Sequence, residues 1–151
     1  MSLQSLVGIS LEAVTPSKQT VRRLLDGAAR HIADAKVKAI STETRFSSAY
    51  TAVRMLADVG PHVHGYRTLT SKPGHHQTAI QTLQLTLGLE PPVIVRLDAL
   101  RKQRNVAEYS GDVIPESTVT ECLLQAEALY VRTNAWLKSN RPDLSNRPDL
   151  I

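Results

Sequence analysis

The chain has 151 residues, 42% of them apolar and 21% charged, which suits one domain with a core of its own and excludes a wholly disordered chain. Aromatic residues make up only 4%, so aliphatic side chains and alanine must fill that core. The formal charge of +4 permits an acidic partner such as RNA without requiring one, and the single cysteine, Cys122, excludes an internal disulfide.

In chain order, the first 14 residues read as a loose, mildly apolar arm. Thr15-Pro16 looks like an N-cap followed by proline, opening a first helix over about 16–39 with Val21, Leu25, Ala28, Ile32 and Ala35 at helical spacing. Ser41 to Thr44 reopens a helix whose buried side is Phe46, Ala49, Tyr50, Val53, Leu56 and Ala57. It stops near Gly60-Pro61, or continues after a kink through "HVHGYR". "TLTSKPGHH" is the main loop. A third helix covers about 75–88 and stops at Gly88. A fourth runs from "EPP" to about residue 110, and Gly111 ends it. Pro115 opens a fifth, to about 138, with Thr118 and Glu121 spaced as a capping box.

No stretch alternates with period two, so the expected fold is all-α: an antiparallel bundle of four to five helices formed by residues 1–138. Residues 139–151, which repeat SNRPDL twice in tandem, are expected to be a flexible tail. No window is long and apolar enough to span a bilayer, and "MSLQSLVGIS" lacks the basic and apolar regions of a secretion signal, so no membrane partner and a cytoplasmic location are expected. Cys122 falls in an apolar helical run, where a buried, inert thiol is expected.

The most informative stretch is "LRKQRNVAEY", Leu100 to Tyr109. Val93, Leu97, Leu100, Arg104 and Ala107 keep the spacing of a core-facing seam, which puts a guanidinium in an apolar stripe. A buried arginine must be satisfied. Arg101, Asn105 and Glu108 share the adjoining face, with Tyr109 beside them. The cluster is either an internal ion-pair network pinning the helix, or a cleft where arginines face a phosphate-bearing ligand.

"LRKQRNVAEYSGD", together with "TRFSSAYTAVRMLADV", "GYR" and "GHHQTAIQTL", resembles the HEPN domains, and among them the small stand-alone bacterial HEPN-like proteins, over about residues 16–138. The resemblance implies a bundle of four to five helices, a homodimer with the motif at its cleft, and in some members a nucleotidyltransferase protein partner in a toxin–antitoxin or defence setting. Active members are metal-independent endoribonucleases that use an arginine, a polar residue after it, and a histidine a few positions on. Arg104 matches the arginine and Asn105 the polar residue. The histidine is absent, since Glu108, Tyr109 and Ser110 fill its candidate positions. A tyrosine of ordinary pKa near 10 is a poor base at neutral pH, and arginines beside Glu108 should lower its pKa.

The expectation is therefore a catalytically degenerate interaction module, binding a nucleotide, RNA or protein partner through Arg101, Arg104 and Asn105. The alternative is an endoribonuclease built on Arg104 and Asn105, with Glu108, Tyr109 or a more distant histidine as base. No cofactor and no metal site are expected. His62, His64, His75 and His76 flank one loop but lack a neighbouring cysteine or carboxylate and read as loop and helix-start residues, while Arg22, Arg23 and Arg30 read as a solvated basic patch.

Overall fold

A computed structural model describes residues 2–145, except for the side chains of Glu108 and Tyr109. Among the described residues there are six α-helices: α1 (Lys18–Ala35), α2 (Thr42–Val63), α3 (His75–Gln81), α4 (Leu83–Thr86), α5 (Pro91–Ser110) and α6 (Glu116–Asn140). Two short strands, β1 (Leu11–Ala13) and β2 (Tyr66–Thr68), complete the fold. Helix accounts for 68% of the described residues, which fits the all-α class.

The ends of the helices follow local chemistry. The Ser17 hydroxyl, not Thr15, caps α1 by accepting the Thr20 N–H at 3.1 Å. Ser41 does the same for α2 with the Thr44 N–H at 3.2 Å. Pro91 opens α5, where its missing N–H costs nothing. Gly111, at φ 69°, closes α5 by donating to the Ala107 carbonyl. The capping box expected of Thr118 and Glu121 does not form, because α6 starts earlier, on Pro115, with no side-chain cap.

Helix α2 is the hub. It packs on α1, α6, α5, α3, α4 and β2. One core cluster joins Leu25, Val53, Leu56, Leu83, Leu97 and Leu137, among others. A second, smaller cluster holds Phe46, Tyr50, Leu100, Ile114, Val119 and Cys122. Cys122 is fully buried, and burial pushes its thiol pKa up to about 12, so it is not a nucleophile at neutral pH.

Three further expectations need correction. The N-terminal arm is not loose: β1 pairs antiparallel with β2, Leu11 opposite Thr68 and Glu12 opposite Arg67, and Leu11 is fully buried. The expected third helix divides at Thr82, whose hydroxyl donates back to the Thr78 carbonyl at 2.8 Å, a contact that bends helices. The first SNRPDL copy is docked as far as Ser145: the Arg141 guanidinium donates to the Val63 carbonyl at 3.0 Å, and Leu144 is buried. The second copy lies outside the described residues.

Gly60 lets α4 approach α2. A Cβ there would meet Thr86 Oγ1 at 2.3 Å and Leu83 Cδ2 at 3.2 Å. Gly60→Ala is therefore expected to destabilise by about 1–3 kcal/mol, because overpacking outweighs alanine's better helix propensity. Urea unfolding measures this, and a variant as stable as the parent would show that α4 yields without cost.

Candidate functional site

Helices α2, α3 and α5 bring a cationic cluster together. The seam on α5 is real: Leu97 and Leu100 are buried, Val93 and Ala107 pack against the two core clusters, and Arg104 sits half-buried in line with them. Its guanidinium carbon lies 5.5 Å from the centre of the Tyr50 ring, a cation–π stack that satisfies part of the charge inside an apolar stripe. Tyr50, on α2, is buried, and its hydroxyl has no hydrogen-bond partner among the described residues. Burial pushes its pKa up to about 12 against the opposing pull of Arg104, Arg101 and Arg54.

The third side of the cluster comes from α3. Gly74, at φ 78°, turns the chain so that His75 and His76 form the first residues of the helix. Their rings meet edge-on at 4.2 Å, and the His76 ring lies 6.5 Å from that of Tyr50. Burial, followed by the charges of His75, Arg54, Arg104 and Arg101, drives the His76 pKa down to about 4. His76 is therefore neutral at physiological pH, with three guanidiniums near it.

The remaining predicted residues fall as follows. Arg101 pairs with Asp98 one turn earlier at 2.8 Å rather than with Asn105. Lys102 reaches the other oxygen of Asp98 at 3.4 Å. Burial would raise the Asp98 pKa, but these two cations hold it below the usual range. Asn105 is exposed. The side chains of Glu108 and Tyr109 lie outside the described residues. The motif thus contributes Arg101 and Arg104 to the cluster, while Arg54, Tyr50 and His76 come from helices that the motif does not contain.

The histidines flanking the loop do not converge. His62 Nε2 accepts the Ser17 N–H at 3.0 Å, His64 Nε2 meets the Thr86 carbonyl at 2.8 Å, and His75 stacks on His76. Among the described residues no three histidine, cysteine or carboxylate side chains are grouped as metal ligands. No described helix is long and apolar enough to cross a membrane.

Sequence reasoning also misses Arg45. It is buried on α2, donates from Nε to the Ala35 carbonyl at 2.8 Å, and grips both carboxylate oxygens of Glu116 at 2.9 Å. The available signal is its spacing, since Arg45, Ala49, Ala52 and Leu56 keep the same seam interval as Arg104.

Fold and cluster together give a mostly helical protein in which Arg104 and His76 both pack against the buried Tyr50 ring. Compared with protein-family models, characterised proteins and solved structures, the chain matches none of them.

Proposed function

We propose that the chain is a HEPN-like helical-bundle interaction module that binds the phosphate of a nucleotide or RNA at the cleft around Arg104 and Asn105. The observation that carries this reading is the packing of Arg104 and His76 against the same buried Tyr50 ring, at 5.5 and 6.5 Å, where the charges of Arg54 and Arg101 are also felt. Asp98 pairs with Arg101 and Asp58 faces Arg54, and the Arg104 guanidinium stacks on the Tyr50 ring. Planar guanidiniums gathered around a neutral imidazole suit phosphate oxygens. In this reading the protein works as a homodimer, with Val95 and Val106 of α5, 68% and 64% exposed, as apolar residues a second copy would cover. A nucleotidyltransferase protein partner and a toxin–antitoxin or defence setting belong to the same reading.

A second reading is favoured by one observation. His76 lies near Arg104 although the motif carries no histidine of its own. A metal-independent endoribonuclease could use that imidazole as its proton acceptor. Anionic substrate would offset the arginines and bring its depressed pKa back toward neutrality.

Both readings are tested on one set of samples. Single-stranded RNA is titrated into the parent, Arg101→Ala and Arg104→Ala proteins at several salt concentrations, and cleavage is followed in EDTA with His76→Gln added. The expected result is salt-dependent binding that weakens about tenfold or more in each arginine variant, with the salt slope reduced by about one. Binding without cleavage supports the module, and cleavage lost in His76→Gln supports the enzyme. Equal RNA affinity in all variants, with normal melting, would overturn both.

A further inference from the structure

A separate recess lies where the β1–β2 ribbon meets the start of α1 and the end of α2. It encloses about 380 Å³ and opens onto a neighbouring recess of about 240 Å³ that shares Arg67, Thr68 and Thr70 with it. Its charged walls are Arg23, Arg67 and Asp58, and His62 closes one side. The charge balance favours an anion. Arg67 is paired with Glu12 across the ribbon. Asp58 faces Arg54 at 4.0 Å. His62 is neutral, because its Nε2 accepts a backbone N–H at 3.0 Å. Arg23 makes no ion pair among the described residues, so one positive charge is left over at the rim.

The donors are suited to a tetrahedral oxyanion. Thr68 and Thr70, each with a hydroxyl, line the recess with Arg23 and Arg67, and His62, with Nε2 engaged as an acceptor, carries its proton on Nδ1. Several donors around two guanidiniums can serve the many acceptor sites of a phosphate. The volume exceeds what inorganic phosphate needs and falls at the small end of organic-ligand sites. Asp58 adds an acceptor for the ligand's hydroxyls.

We propose that this recess binds a small organic phosphate of sugar-phosphate size, its phosphate held by Arg23 and Arg67 and its hydroxyls by Asp58. This site adjoins the arginine cluster through the Asp58–Arg54 pair but includes neither Arg101 nor Arg104. The test is calorimetric titration of the full chain at neutral pH with ribose 5-phosphate, ribose and inorganic phosphate. Ribose 5-phosphate is expected to bind more tightly than inorganic phosphate, and ribose not to register. Arg23→Gln, an exposed substitution that leaves the core intact, is expected to weaken binding about tenfold or more, while Arg104→Ala leaves it unchanged. Four outcomes would overturn the proposal: no heat with ribose 5-phosphate, undiminished binding in Arg23→Gln, inorganic phosphate binding as tightly, or a loss confined to Arg104→Ala.

Discussion

Arg45→Ala is expected to lower the unfolding free energy by about 2–4 kcal/mol, the range for removing a buried, charge-assisted hydrogen-bonding group. The side chain joins three elements. Helix α1 ends at Ala35 with a carbonyl that no further turn can satisfy, and Arg45 Nε–H donates to it at 2.8 Å. The other end of the guanidinium holds both oxygens of Glu116, in the first turn of α6, where an acidic residue also complements the helix dipole. The two partners differ in environment, and that predicts an asymmetry. The Arg45 side chain is 5% exposed and that of Glu116 is 55% exposed. Glu116→Gln keeps a side-chain oxygen in place to accept from the Arg45 guanidinium. Losing Arg45 strands a carbonyl and opens a cavity. Glu116→Gln should therefore cost about 1 kcal/mol or less, and Arg45→Met, which keeps the apolar stem, should fall between the two. Urea unfolding of the three variants measures the order. Equal losses for Arg45→Ala and Glu116→Gln would mean that the carbonyl contact contributes nothing.

The legible part of this fold was the part set by local periodicity. Apolar residues at intervals of three and four place α1, α2, α5 and α6, and proline and glycine mark where α5 starts and stops. The ribbon was not legible. Each strand has three residues, too few for a period of two to register, and what holds Leu11 opposite Thr68 is a pairing across more than fifty positions. The docking of Leu144 and Ser145 was hidden for a similar reason. Nothing local in SNRPDL indicates that Arg141 will find the Val63 carbonyl. The site divides along the same line. Arg104 was visible because an arginine interrupts an apolar seam on its own helix. Tyr50 and His76 were not, because a tyrosine in a buried stripe and a histidine at a helix start look ordinary until α2, α3 and α5 are packed. Arg45 lay between these cases: its seam position was readable, but its partners Ala35 and Glu116 are on two other helices.

The stability of the parent protein is expected to change little between about pH 6 and pH 4.5, because two perturbed groups on neighbouring helices titrate in opposite senses. His76 has an ordinary pKa of 6.5 and a folded value of about 4. Between these values the unfolded chain binds a proton that the folded chain does not, so acid favours unfolding. Asp58 runs the other way. Burial, against the pull of Arg54 and His75, raises its pKa from 3.8 to about 6, so in the same window the folded chain holds the extra proton and acid favours folding. Each group alone would shift stability by at most about 1.4 kcal/mol per pH unit, and partial exposure reduces the total to about 1 kcal/mol across the window. With both present, the proton counts cancel. His62, lowered by burial and by Arg23, leaves a small residual loss in acid. Asp98 and Glu90 are held below their ordinary range and give up their stabilisation only at lower pH. Asp58→Asn should therefore show a steep fall in melting temperature on acidification. His76→Gln should show a flat or rising one. If both variants track the parent, neither group titrates away from its ordinary value. The loop and first turn of α3 would then be open enough to hydrate His76 and screen the nearby guanidiniums.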